Sequence, residues 1–117
     1  MTLAMVLIMM SQQPPPPVDP FAEGWASYYT VASSSNLTAS GEEMIDGKKT
    51  CAMRKGSFGE RVLVVTESGR SVVCRINDRG PYVRGRVIDL SKAAMEKLGG
   101  VHRGVIRVKV YRIGKER

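Results

Sequence analysis

Short apolar runs separated by polar, Gly-rich turns mark the second half of this chain, and its last run alternates apolar with basic residues. Residues 61–66 (Arg-Val-Leu-Val-Val-Thr) are β-branched and apolar enough to predict a strand. Glu67-Ser68-Gly69-Arg70 is a tight connection, and 71–77 is the expected hairpin partner. Near the end, Ile106, Val108 and Val110 alternate with Arg107 and Lys109, the mark of a half-buried strand within 105–113. The aromatic run 25–31 and the short run 87–90 predict two more strands, and Thr50-Cys51-Ala52-Met53 is a short buried piece. Phe58-Gly59 is a turn beside an aromatic. Helical signals occur at 92–98, with Ser91 in the capping position, Ala93, Ala94, Met95 and Leu98 apolar, and Gly99-Gly100 as the stop. Short strands, glycine turns and one or two short helices predict a mainly β fold. A small closed barrel suits them best, because closure removes exposed edges.

The first 23 residues follow another pattern. Residues 3–10 are an apolar run too short to span a bilayer. It fits either a secretory signal lacking its start or a loosely packed tail. Pro14 to Pro17 and Pro20 then form a polyproline spacer. This divides the chain into an N-terminal segment and linker (1–23), a barrel domain (24–114) and a tail (115–117). Between the first strand and Gly41 the chain is small and polar, and contains Asn36-Leu37-Thr38, an N-glycosylation sequon in form only.

Charge changes the picture because of where it lies. The net charge is +7, yet no Lys or Arg precedes Lys48, while Asp19, Glu23, Glu42, Glu43 and Asp46 do. The basic second half should therefore prefer a polyanion or an anionic surface. No recognisable nucleic-acid motif accompanies it, so nucleic acid is not the expected partner. Cys51 and Cys74 are the only cysteines and His102 the only histidine. No CxxC or His/Cys cluster occurs, so neither a metal nor another cofactor is expected. The cysteines are compatible with one disulfide in an oxidising compartment or with two reduced thiols. His102 lies in a Gly-flanked turn.

The candidate chemistry centres on Arg75-Ile76-Asn77-Asp78-Arg79-Gly80-Pro81-Tyr82. A strand here delivers a carboxylate, Asp78, to a Gly-Pro turn flanked by arginines. A second acidic stretch, Glu42-Glu43-Met44-Ile45-Asp46, is bounded by glycines.

In order along the chain stand Gly24-Trp25-Ala26-Ser27-Tyr28-Tyr29, Thr38-Ala39-Ser40-Gly41-Glu42, Thr50-Cys51-Ala52-Met53-Arg54 with Phe58-Gly59, Gly69-Arg70-Ser71-Val72-Val73, Asn77-Asp78-Arg79-Gly80-Pro81, and Gly85-Arg86-Val87-Ile88-Asp89-Leu90-Ser91. In these motifs, from Gly24 to Ile113, the chain resembles the rare-lipoprotein-A family of bacterial cell-wall proteins. The resemblance implies a six-stranded double-psi β-barrel related to expansins and barwins. It also implies lytic transglycosylation of peptidoglycan glycan strands, outside the cytoplasm, with a 1,6-anhydro sugar as product. Such chemistry needs a proton donor and stabilisation of an oxocarbenium-like transition state.

Carried over by position, Glu42 and Asp78 are the expected catalytic carboxylates. Tyr29, Arg79, Tyr82 and Asp46 are expected along the glycan groove. Asp89 and Met53 are expected to shape the site, Asp89 by accepting backbone hydrogen bonds near 77–81. Two positions depart from the family: Ile45 stands where Asp or Asn is frequent, and Met53 stands where the family has a histidine. These departures keep open a second reading, an expansin-like barrel that binds peptidoglycan without cutting it. A Cys51–Cys74 disulfide is expected if the protein is exported. The domain is expected to act as a monomer.

Overall fold

The computed structural model describes residues 18–33 and 37–115. The expected signal segment and most of the polyproline spacer lie outside the described residues, as does Asn36. The strands are β1 (Ala22–Tyr29), β2 (Thr50–Ala52), β3 (Glu60–Thr66), β4 (Ser71–Asp78), β5 (Arg86–Ser91) and β6 (Ile106–Lys115). A 3-10 turn spans Val31–Ser33, and the helix α1 spans Lys92–Leu98. The strands close into a barrel in the order β1-β5-β2-β4-β3-β6.

The pairing is mixed in a way that hairpins alone cannot generate. β1 pairs in parallel with β5, and β2 in parallel with β4. Each parallel pair requires a crossover rather than a tight turn. Two such crossovers inside one small closed barrel give the double-psi topology. β3 and β4 form the expected hairpin, in which the N–H of Thr66 donates to the carbonyl of Arg70 at 2.9 Å.

Alternation decides which side chains enter the barrel. In β3, Val62 and Val64 point inward; in β4, Val72, Cys74 and Ile76 do. Together with Ile88, Leu90, Met95, Val108 and Val110 they form one continuous core. The first strand begins at Ala22, two residues before Gly24, because Phe21 and Ala22 already pair with Val110 on β6. The helix has too few turns to be stable alone. It is held by the Ser91 cap, whose Oγ accepts from the Ala94 N–H at 3.3 Å, and by burial of Ala94, Met95 and Leu98. Among the described residues no helix is long and apolar enough to cross a membrane.

Cys51 and Cys74 meet inside this core. Their sulfurs are 3.1 Å apart and both residues are free thiols linked by a hydrogen bond. The expected disulfide is thus not formed in this structure, although the pair is in place for it. Burial, then the neighbouring Cys74 thiol, pushes the Cys51 thiol well above its ordinary range, so it stays protonated.

Candidate functional site

Strand alternation places Arg75 and Asn77 on the same outer face of β4. The turn 38–43 docks onto that face. Within it, the N–H and hydroxyl of Thr38 both donate to the carbonyl of Glu42, at 3.0 and 2.8 Å. Gly41 has φ 87°, a left-handed conformation that disfavours any side chain, and this reverses the chain. The N–H of Ser40 donates to the carbonyl of Asn77 at 3.2 Å and fixes the turn on the strand.

The result is a fully engaged Glu42. Arg75 donates two hydrogen bonds to its carboxylate, 2.7 Å from Nη1 to Oε2 and 2.5 Å from Nη2 to Oε1. Asn77 Nδ2 adds a third at 3.1 Å. The Arg75 hydrogen bonds, then the Asn77 amide, hold the Glu42 carboxyl below its ordinary value of 4.5 against a smaller opposing effect of burial. Glu42 therefore rests as a carboxylate.

Asp78 sits at the end of β4, on the other side of the same turn. Its Oδ1 accepts from the N–H of Ala39 and from the N–H of Arg79, each at 2.9 Å. Its Oδ2 has no hydrogen bond among the described residues. Gly80, with φ 115°, turns the chain immediately afterwards, and Pro81 follows through a cis bond. Both carboxylates thus anchor one short turn, residues 39–42.

The remaining expected residues divide sharply. Tyr82 is 78% exposed and borders Gly80, so its ring offers an open face beside the site turn. Tyr29 is only 6% exposed and its hydroxyl is 2.9 Å from Thr50 Oγ1. It therefore braces β1 against β2 and presents no face for stacking, contrary to expectation. Burial pushes its phenol well above the ordinary range. Arg79 reaches away from Asp78: its guanidinium donates to the carbonyls of Met53 (3.2 Å) and Gly56 (2.7 Å) and lies over the Phe58 ring. Asp46 accepts the Val31 N–H at 2.9 Å, and its carbonyl accepts the Ala93 N–H at 3.1 Å. It ties the acidic loop to the 3-10 turn and the helix.

Asp89 accepts the Ser27 hydroxyl at 3.0 Å instead of the expected backbone donors near 77–81. Burial raises its carboxyl above the ordinary value of 3.8, with Ser27 and Arg86 opposing and the Asp78 charge adding to the rise. Met53 is buried in the core, and its N–H donates to the carbonyl of Asp78 at 3.2 Å. The position stays adjacent to the site turn, but its side chain has no polar atom to offer there.

Two residues that sequence reasoning did not assign to the site are Asn77 and Ser27, each holding a carboxylate. The period-two spacing of Arg75 and Asn77 was the available signal for the first. Among the described residues no cluster of His, Cys, Asp and Glu is arranged to hold a metal ion.

Comparison with known proteins adds an independent line. A family model described as lytic transglycolase matches residues 21–110. A probable endolytic peptidoglycan transglycosylase RlpA of Nostoc sp. is 46% identical over 96 residues, covering 80% of this chain and 26% of that protein. The corresponding protein of Treponema pallidum is 44% identical over 91 residues, covering 77% and 29%. This chain thus spans between a quarter and a third of the length of these relatives. Among solved structures, the Streptomyces papain inhibitor superposes with a TM-score of 0.63 at 23% identity, covering 83% of this chain and 99% of that one. A mutant Clavibacter michiganensis expansin in complex with cellohexaose superposes with a TM-score of 0.61 at 17% identity, covering 78% and 49%. These two likenesses establish the fold.

Proposed function

Because the chain belongs to the lytic transglycolase family of double-psi β-barrels, we propose that it cleaves peptidoglycan glycan strands by lytic transglycosylation, outside the cytoplasm. The observation that supports this reading is the docking of the 38–43 turn on β4, in which Asp78 holds the turn at Ala39 and Arg75 holds it at Glu42.

The two carboxyl groups divide the work by their surroundings. Glu42 is paired with Arg75 and stays ionised, so it suits stabilisation of the positive charge that develops on the sugar. Asp78 has one oxygen bound by backbone N–H groups and, among the described residues, no hydrogen bond on the other, so it suits proton transfer at substrate. In its protonated form Asp78 gives a proton to the glycosidic oxygen as the C1–O bond breaks. The 6-hydroxyl of the same sugar then bonds to C1 and returns its proton to Asp78. The product is a 1,6-anhydro sugar and a shortened strand, with Asp78 restored. Tyr82 supplies an exposed ring against which a sugar can stack. Mass spectrometry of peptide-free glycan after incubation should show new anhydro ends; strands of unchanged length would reject cleavage.

A second reading is favoured by one specific residue. Met53, buried and apolar, cannot orient Asp78 or relay a proton as the family histidine would. On this reading the barrel binds glycan without cutting it. Substituting Met53→His separates the two. A slow enzyme should accelerate by roughly tenfold or more, within the range of general acid–base effects. A binding module should gain no turnover while keeping its affinity.

Export would also convert the Cys51–Cys74 thiol pair to a disulfide. Closing that loop should stabilise the fold by about 3 kcal/mol on a chain-entropy account. Protein recovered from the cell envelope and unfolded without reductant should then take up no alkylating reagent. Two alkylated cysteines would place the protein in a reducing compartment instead.

A further inference from the structure

Arg61 and Arg75 are direct partners across the β3–β4 ladder. Like charges in that position destabilise a sheet. Arg75 is compensated by Glu42, whereas Arg61 Nε is shut off from solvent without a hydrogen-bond partner among the described residues. A buried donor of this kind can be satisfied by water or by an anion entering beside it. Lys48 and Lys49 lie beside the two arginines. The four basic side chains, with Thr50, Val73 and Cys74, line a hollow of about 310 Å³, and none of its lining residues among the described residues is acidic. Arg75 belongs to the hollow and to the Glu42 pair at once, so the hollow opens directly beside the proposed catalytic carboxylate.

We infer that Lys48, Lys49, Arg61 and Arg75 form a carboxylate-binding subsite that takes a carboxylate carried by the glycan strand next to the cleavage point. The inference rests on the glycan-cleaving reading above. In a strand stripped of its peptides, every muramyl residue bears a free lactyl carboxylate on its ring. In an intact strand that group is an amide, and the carboxylates lie farther out on the peptides. Planar guanidinium forks suit a carboxylate by bidentate contact, and the lysines add charge without geometric demand. A carboxylate in the hollow faces Arg61, Lys48 and Lys49. It also fixes the register of the strand, since the lactyl group repeats on alternate sugars.

The test is binding of the full chain to three polymers: peptide-free glycan, the same glycan with its carboxyls reduced to alcohols, and intact peptidoglycan. The wild-type protein should bind the carboxylate form roughly tenfold more tightly than the reduced form, as expected when charge-assisted contacts are removed. Arg61→Gln and Lys48→Gln should each bring that ratio to within about twofold of unity, and Arg61→Lys should retain part of it. The thermal midpoint of Arg61→Gln should equal or exceed that of wild type, because the variant relieves a like-charge pair. Equal wild-type affinity for the carboxylate and reduced forms would overturn the subsite while leaving the glycan reading intact. Equal affinity for peptide-free and intact strands would overturn the lactyl assignment. No binding to any of the three would overturn both the subsite and the function on which it rests.

Discussion

Asp78→Asn should lower turnover of peptide-free glycan by roughly 10²–10⁴-fold, the span of general acid–base effects, while leaving glycan affinity within about threefold of wild type. The substitution preserves shape. The amide oxygen can still accept the Ala39 and Arg79 N–H groups that hold the turn. What disappears is a group that can give and retrieve a proton at the unengaged position. Release of anhydro ends, measured beside binding to the same strands, reads the two effects separately. Wild-type turnover in the variant would remove Asp78 from the chemistry.

Glu42→Gln should act on turnover and stability together. The isosteric amide loses the negative charge that the proposed mechanism uses, which should lower turnover by about 10²–10³-fold by analogy with other electrostatic deletions. It also removes the carboxylate charge that Arg75 faces beside Lys48 and Arg61. The pair is only partly exposed, so the stability loss should fall between the surface and buried limits, at about 1–2 kcal/mol. The pH dependence gives the sign. Glu42 is held below its ordinary value of 4.5, so its contribution is complete above that value and is lost as pH falls through the lower, folded one. Denaturant unfolding should therefore show wild type and variant furthest apart at neutral pH and converging below about pH 4.5. Parallel curves down to strong acid would mean that the Arg75 pairing does not control Glu42.

The barrel was legible where periodicity is strong. The apolar run of β3 with its hairpin partner β4, the alternation in β6 and the Ser91 cap of α1 identify those elements without any tertiary knowledge. The parallel pairings β1–β5 and β2–β4 were not readable from residues, because a crossover leaves no local signal; the family motifs supplied them. Within the candidate site, position on a motif pointed to Glu42 and Asp78 but gave no indication of their partners. Arg75 and Arg79 flank Asp78 in sequence, yet the side-chain hydrogen bonds seen for them go to other residues. Strand geometry sends Arg75 to Glu42, and the Gly80 turn sends Arg79 to the carbonyls of Met53 and Gly56. Tyr29 illustrates the same limit: an aromatic beside a motif is equally at home in the core, and only closure of the barrel decides. Composition located an excess of basic charge after Lys48, but only the pairing of β3 with β4 gathers part of it into a hollow beside Glu42.

The most direct test of the proposed function is mass spectrometry of peptide-free glycan strands after incubation with the wild-type protein and, in parallel, with Asp78→Asn. Shortened strands ending in 1,6-anhydro sugars, produced by the wild type and not by the variant, are the predicted result. Bound but uncut strands in both reactions, or cut strands with ordinary reducing ends, would contradict it.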